Sequence, residues 1–117
     1  MEAINRLWDN VVGKKLYITG GIGSKHEGEA FGKNYELPNL TAYNETCAAV
    51  ANVFWNFRLF LLHGEAKYIV VLERTLYNGL IVGVSQVGAC FYGGSPGCRY
   101  GAAFFYDADA ENNQPDD

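Results

Sequence analysis

Two short segments of this 117-residue sequence carry side chains that could perform acid–base or metal chemistry. The first is a glycine-flanked loop that contains His26, Glu27 and Glu29. A carboxyl group beside apolar neighbours can have a raised pKa, which lets it act as a general acid near neutral pH. Glu29 is followed by Ala30 and Phe31. It is therefore a candidate general acid, with an ordinary solvated loop carboxylate as the alternative.

The second segment is Glu45-Thr46-Cys47, at the start of an apolar stretch. In one interpretation, Glu45 favours the positive end of a helix dipole and Cys47 is a small core residue. In the other, the carboxylate and the thiol are half of a zinc site, and the thiol pKa is depressed. Residues two positions apart diverge within a helix, so they can share an ion only where the chain enters from a loop. Cys90 and Cys98 are possible further ligands, although their spacing fits no standard pattern.

The glycines before these residues do not form a phosphate-binding loop. In the run from Thr19 to Lys25, serine precedes lysine, whereas a phosphate loop requires Gly-Lys followed by Ser or Thr. The dinucleotide pattern also fails, because His26 stands where its last glycine belongs. A tight loop with positive φ angles is the remaining interpretation.

The composition favours one small globular domain. The chain is 49% hydrophobic and 15% aromatic, with a net charge of −4, so no basic stripe is present to bind nucleic acid. Three cysteines are too few, and odd in number, for a secreted disulfide framework, which favours a reducing, cytoplasmic location. Residues 1–12 do not resemble a signal peptide, and residues 47–62 are too short and polar to span a bilayer. We therefore expect no membrane association.

Helical periodicity predicts a first helix over residues 2–12, followed by Gly13. A third helix covers about residues 66–79, and its short link to the helix before it predicts an antiparallel hairpin. The apolar residues that recur at helical spacing on the first helix are Ile4, Leu7, Trp8, Val11 and Val12. The residues of the third helix that are expected to face inward are Tyr68, Ile69, Leu72 and Leu76.

The second helix runs from about residue 42 or 45 to residue 63, with Thr41 or Asn44 as its N-cap and Gly64 at its end. It is apolar on nearly all faces, which indicates that it belongs to a larger helical assembly. Before it, residues 20–40 form a long irregular loop, a feature that is often functional.

The last third of the chain is predicted to differ from the rest. Residues 80–92 alternate weakly and are expected to form a short extended segment. Residues 93–117 contain turn residues and an acidic run, which predicts a flexible tail.

Several segments between Leu7 and Tyr92 form a combination that is far more specific than any single motif. They are Tyr17–Ser24, His26, Gly28–Gly32, Tyr35–Asn39, Ala42–Tyr43, Glu45–Ala48, Phe54–Trp55, Leu72–Gly79 and Val84–Ser85. In this combination the chain resembles glycoside hydrolase family 127.

The resemblance implies a mainly α fold, in which residues 1–92 are a fragment of a catalytic (α/α)6 barrel domain. It also implies an enzyme that removes β-L-arabinofuranosyl residues from plant-type glycans with retention of configuration. The family is known for a cysteine nucleophile held by zinc. Glycans that contain L-arabinofuranosides are therefore the expected partners, and zinc is the expected cofactor.

Site roles follow from the same resemblance, residue by residue. Glu29 matches the acid/base glutamate, and Glu45 and Cys47 match two zinc ligands. Tyr92 matches, more loosely, a tyrosine near the nucleophile, and His26 is expected to contact the substrate.

The chain also departs from the family pattern. The family's nucleophile lies in a cysteine-rich segment beyond the position of Tyr92, and residues 93–117 do not resemble that segment. We therefore expect the isolated chain to be inactive. One alternative is a non-catalytic remnant that binds proteins, or itself, through exposed apolar helices. Another alternative is a different sugar specificity.

Overall fold

The computed structural model describes residues 1–83, and residues 84–117 lie outside the described part. Three α-helices are present: α1 is Glu2–Lys14, α2 is Thr46–His63 and α3 is Ala66–Thr75. An irregular segment joins α1 to α2, and it contains one 3-10 turn, Glu27–Glu29. The predicted mainly helical fold is thus confirmed for this part of the chain, whereas closure of a barrel stays a prediction.

Helix α1 packs through a narrower face than its sequence predicts. It runs two residues beyond the predicted end, to Lys14. Trp8 and Val11 are buried, but Ile4 is 41% exposed and Leu7 is 61% exposed. Within residues 1–83 the hairpin that follows therefore covers only one edge of the apolar face of α1.

The turn between α2 and α3 forms as predicted, whereas the start of α2 does not. Gly64 ends α2 with a φ of 70°, and its N–H donates to Phe60 O at 2.7 Å. At the other end the N-cap position is Glu45, whose side chain makes no capping bond. Neither Thr41 nor Asn44 is the N-cap residue. The side chain of Asn44 is buried and bonds no N–H of the first turn of α2.

Helix α3 continues without a break into a π-helical turn, Leu76–Leu80, and a 3-10 turn, Ile81–Gly83. The extended segment predicted at 80–92 is therefore wrong for residues 80–83, and its remainder lies outside the described residues. Along this helical path Gly83 packs directly against the side chain of Thr46 in the first turn of α2.

The apolar core lies where α1 crosses the hairpin of α2 and α3. Trp8 meets Tyr68 edge to face, with ring centroids 4.9 Å apart, and Leu59 and Val71 complete the cluster. Of the residues predicted to face inward on α3, Tyr68 is fully buried. The others are only half-buried: Ile69, Leu72 and Leu76.

A chain of buried hydrogen bonds links all three helices to the irregular segment. The indole N–H of Trp8 donates to Asn56 Oδ1 at 2.7 Å, and the Asn56 amide donates to Asn52 Oδ1 at 3.0 Å. The Asn52 amide donates to Thr75 Oγ1 at 3.1 Å. Gly20 O accepts from Thr75 Oγ1, also at 3.1 Å. Asn52 and Asn56, which are polar residues on the otherwise apolar α2, are thus hydrogen-bonded, so their burial carries little free-energy penalty.

Gly20 and Gly21, which we call the glycine wedge, fill the space between α3 and the residues that precede α2. A Cβ on Gly20 would lie 2.7 Å from the backbone N and Cα of Thr75, and its φ is 87°. A Cβ on Gly21 would lie 3.1 Å from Asn44 Cγ. Gly79 faces the same wedge, since its own Cβ would lie 3.5 Å from Gly21 N. Only glycine fits at this thickness.

Much of the outer surface of the hairpin is apolar, as the all-round apolar pattern of α2 predicted. The large apolar residues exposed there are Phe54, Phe57, Leu61, Leu62, Val70 and Tyr77. None of the helices in residues 1–83 is long and apolar enough to cross a membrane. Self-association through this surface stays a prediction.

We expect Gly20→Ala to lower the free energy of unfolding by about 2 kcal/mol more than Gly23→Ala does. Both glycines have similar positive φ angles, 87° and 82°, so both variants carry the same backbone strain. Among residues 1–83, a methyl group on Gly20 would meet Thr75, whereas no atom lies within 4 Å of a Cβ on Gly23. Urea denaturation of the 117-residue chain, followed by tryptophan fluorescence, measures the difference. Equal losses would rule out the wedge.

Candidate active site

The loop that carries Glu29 is closed by two reciprocal backbone hydrogen bonds. Lys25 N donates to Ala30 O, and Ala30 N donates to Lys25 O, each at 3.1 Å. Between them the chain turns through Gly28, with a φ of 72°, and Glu29, with a φ of 48°. Positive φ is strained for a glutamate and is often found at functional sites. The loop therefore presents Glu29 in a fixed backbone conformation.

The same loop is joined to the start of α2 by a second pair of backbone hydrogen bonds. Asn44 N donates to Gly23 O at 2.9 Å, and Tyr43 N donates to Ser24 O at 3.4 Å. The ring of His26 also meets the ring of Tyr43 edge to face, at a centroid distance of 4.8 Å. The two segments singled out from the sequence thus lie side by side.

Electrostatics also connect the two segments, through the thiol of Cys47. Its pKa is raised above the ordinary value, first by desolvation, then by the Glu45 carboxylate, which accepts its hydrogen bond, and by the charge of Glu29. The depressed thiol pKa predicted for a helix start is therefore wrong. Desolvation, together with the two neighbouring carboxylates, outweighs the favourable field of the helix N-terminus.

The Glu45–Cys47 pair has the chemistry of a partial zinc site. A carboxylate and a thiol are both zinc ligands, and they meet here in the loop-to-helix transition. Without a cation, a nearby carboxylate disfavours the thiolate form of a cysteine. Once a divalent cation lies between the two groups, both bind the cation and the thiolate form is favoured. Within residues 1–83 no group of three or more His, Cys, Asp or Glu side chains could hold a metal. A carboxylate and a thiol are compatible with two positions of a zinc site, and any remaining ligands would have to come from outside residues 1–83.

Glu29 is exposed, as are His26 and Cys47, while Glu45 is half-buried. The apolar shielding of Glu29 expected from Ala30 and Phe31 is absent in residues 1–83, since Phe31 is itself 44% exposed. The acid candidate is thus exposed to solvent rather than buried in the core. The predicted roles of Tyr92, Cys90 and Cys98 lie outside the described residues.

Sequence reasoning missed the residues that brace the loop. Ser24 is buried, and its Oγ accepts from Gly32 N at 3.1 Å. Glu36 accepts from Lys33 N at 2.6 Å and pairs with Lys25 Nζ at 3.7 Å. The pKa of Glu36 is lowered, first by that backbone N–H and then by Lys25. The sequence pattern does not mark these residues, because Gly32 and Lys25, which Ser24 and Glu36 contact, are brought to them only by the folding of the loop.

Asn44 is the other residue that the sequence pattern misassigned. Its side chain is 3% exposed, and its two polar atoms have no hydrogen-bond partner in the described part of the chain. Its φ of 40° identifies it as the turn residue immediately before Glu45.

The chain matches a known catalytic domain over most of its length. The family model described as the β-L-arabinofuranosidase, GH127 catalytic domain matches residues 1–98. A curated relative, the non-reducing end β-L-arabinofuranosidase of Bifidobacterium longum subsp. longum, is 42% identical over 92 residues. That alignment covers 79% of this chain but only 14% of the relative.

Solved structures give the same result. A GH127 β-arabinofuranosidase is 70% identical with a TM-score of 0.76, over 78% of this chain and 14% of that one. A GH127 β-L-arabinofuranosidase from Geobacillus stearothermophilus T6 is 41% identical with a TM-score of 0.71, over 92% and 17%. A structure described as a glycoside hydrolase is 30% identical with a TM-score of 0.67, over 83% and 20%. The chain thus spans a small part of each of these proteins.

We expect Glu45→Gln to speed alkylation of the Cys47 thiol by iodoacetamide near neutral pH. The Glu45 carboxylate raises the pKa of this thiol, so its removal increases the thiolate fraction at any pH below that pKa. Mass spectrometry of the peptide that contains Cys47 follows the rate separately from the other cysteines. Glu65→Gln, in the turn between α2 and α3, is the matched control and should leave the rate unchanged. A slower rate in Glu45→Gln would contradict the electrostatics of the pair.

Proposed function

The chain belongs to the GH127 β-L-arabinofuranosidase family, and on this premise we propose that it is part of a retaining glycoside hydrolase. The proposed substrates are glycans that carry terminal β-L-arabinofuranosyl residues. The observation that carries the proposal is the pair of backbone hydrogen bonds from Asn44 to Gly23 and from Tyr43 to Ser24, which joins the loop of the candidate acid to the segment of the candidate ligands.

Glu29 is the proposed acid/base. In the first step a cysteine thiolate, supplied from outside residues 1–83, attacks the anomeric carbon. A carbon–sulfur bond forms, the glycosidic carbon–oxygen bond breaks, and the Glu29 carboxyl gives its proton to the departing oxygen. In the second step the Glu29 carboxylate takes a proton from water, whose oxygen replaces sulfur at the anomeric carbon. Two inversions give net retention.

Glu45 and Cys47 are the residues of this chain that would hold zinc. When bound, zinc would keep nearby thiols deprotonated. A cysteine nucleophile requires this, because the thiolate attacks and the uncharged thiol does not. The part played by the chain's own residues is orientation. The backbone bonds from Asn44 to Gly23 and from Tyr43 to Ser24 hold the acid loop against the ligand pair. His26 and Tyr92 are proposed to contact the substrate.

The 117 residues are proposed to be inactive alone. They contain the acid and two ligands, but they span only 14% of the curated relative, and the nucleophile segment is not among the matched motifs. Activity is therefore best tested in a chimera. In it, residues 1–83 replace the matching segment of the 70% identical GH127 β-arabinofuranosidase. We call this protein the chimera below.

The apolar outer face of the hairpin supports a second candidate function, protein binding without catalysis. Phe54, Phe57 and Leu61 follow helical spacing on α2, and all three are exposed. Size-exclusion chromatography and zinc analysis of the 117-residue chain and the chimera distinguish the candidates. Metal-free oligomers in both would favour binding, whereas one zinc per chimera and hydrolysis would favour the enzyme.

In the chimera, Glu29→Gln should lower kcat/KM by about 100-fold to 10,000-fold on an alkyl β-L-arabinofuranoside, because the alcohol leaves poorly without a proton. On a p-nitrophenyl β-L-arabinofuranoside the loss in the glycosylation step should be smaller, because p-nitrophenolate departs unprotonated. Initial-rate assays on the two substrates measure the difference.

Glu27→Gln is the control for that experiment, since Glu27 lies in the same turn and is equally exposed. Its kcat/KM should stay within about twofold of the parent value. An active chimera that tolerates Glu29→Gln on the alkyl glycoside would remove Glu29 from the mechanism.

A further inference from the structure

The carboxamide of Asn44 is buried without a hydrogen bond. The residue is 3% exposed, and neither Oδ1 nor Nδ2 has a partner among residues 1–83. A buried polar atom without a partner costs about 1–3 kcal/mol, so such groups are rare in folded chains. By contrast, the buried amides of Asn52 and Asn56 are both hydrogen-bonded. The fold of residues 1–83 therefore gains no hydrogen bond from the amide of Asn44.

The backbone of Asn44 is also in an unusual conformation, because its φ of 40° lies in the left-handed region. Asparagine tolerates this region better than most residues, and glycine tolerates it without strain. Its backbone N–H donates to Gly23 O at 2.9 Å, which fixes the turn. Glu45 follows directly with an extended ψ of 142°, and α2 then begins. The turn at Asn44 thus sets the direction in which the Glu45–Cys47 segment leaves the loop.

The amide itself is held in place by packing. It lies over the glycine wedge, where a Cβ on Gly21 would be 3.1 Å from Asn44 Cγ and Nδ2. The opposite side of the wedge rests on Thr75 and Gly79 of the α3 region. Because Thr75 is fully buried and hydrogen-bonded, it gives the amide a rigid support.

We propose that Asn44 is a positioning residue for zinc binding by Glu45 and Cys47. This inference rests on the proposed function. The amide can both accept and donate hydrogen bonds, and it lies immediately beside the ligand segment. Its hydrogen bonds are completed by a protein group of the assembled catalytic domain. A freely diffusing sugar is not the partner, because Asn44 is closed to solvent. Partners of this kind that orient metal ligands typically change metal affinity about 10-fold to 100-fold when removed.

Three substitutions separate the backbone role from the amide role. Asn44→Gly keeps the left-handed turn and removes the amide, and Asn44→Ala loses both. Asn44→Asp keeps the shape and the acceptor oxygen but replaces the NH2 donor by a second oxygen. The control is Asn34→Gly, at an exposed loop asparagine whose Oδ1 accepts from Asn10 Nδ2 at 3.5 Å.

The readouts are zinc affinity of the chimera, by competition with a chromophoric chelator, and urea stability of the 117-residue chain. Asn44→Gly should weaken zinc binding about 10-fold to 100-fold while changing the free energy of unfolding of the chain by less than about 1 kcal/mol. Asn44→Asp should recover part of the zinc affinity. Asn44→Ala should weaken zinc binding and also destabilise the chain. The control should change neither quantity.

Other outcomes overturn the proposal. A zinc-binding, active chimera whose affinity is unchanged by Asn44→Gly would reject the positioning role alone and leave the proposed function intact. A loss of stability in the isolated chain above about 2 kcal/mol for Asn44→Gly would make the residue purely structural. A parent chimera that neither binds zinc nor hydrolyses arabinofuranosides would reject the proposed function, and the positioning role with it.

Discussion

The backbone of Gly20 and Gly21 touches α3 on one side and Asn44 on the other. The two glycines add no side chain of their own to either contact. This close approach sets the distance between the helical hairpin and the turn that leads into Glu45 and Cys47. A Cβ on Gly20 would meet the backbone of Thr75 at 2.7 Å, so the thickness of the wedge has no slack. The irregular segment keeps its shape because the hairpin fixes the wedge, even though it contains little regular secondary structure.

The buried hydrogen bonds from Trp8 to Thr75 give that hairpin its register. Four polar side chains on three helices can all be satisfied only when the helices meet at one depth and one rotation. The last oxygen in the series is Gly20 O, which accepts from Thr75 Oγ1. Gly20 therefore connects the hydrogen-bonded helices directly to the irregular segment that carries Glu29. This explains why Glu29, on an exposed loop far from the core, can still have a defined backbone conformation.

The helices could be predicted from sequence because local signals define them. The apolar spacing of α1 and the glycine at the end of α2 are both local, and both were confirmed. The N-cap of α2, the path of residues 80–83 and the thiol pKa of Cys47 were wrong, because each depends on a tertiary neighbour. The proximity of Glu29 to Cys47 followed from the family resemblance, since no spacing rule relates a loop carboxylate to a thiol beyond it. Ser24, Glu36 and the wedge had no local signal at all.

In the proposed enzyme, Glu29 and the Glu45–Cys47 pair converge on one sugar-sized cleft around a zinc ion. A crystal structure of the zinc-loaded chimera, with anomalous diffraction recorded at the zinc edge, tests it most directly. The expected result is one peak within bonding distance of a Glu45 oxygen and of Cys47 Sγ, with the Glu29 carboxyl about 5–6 Å from the nucleophilic sulfur. A peak away from this pair, or a Glu29 carboxyl on another face of the domain, would contradict it.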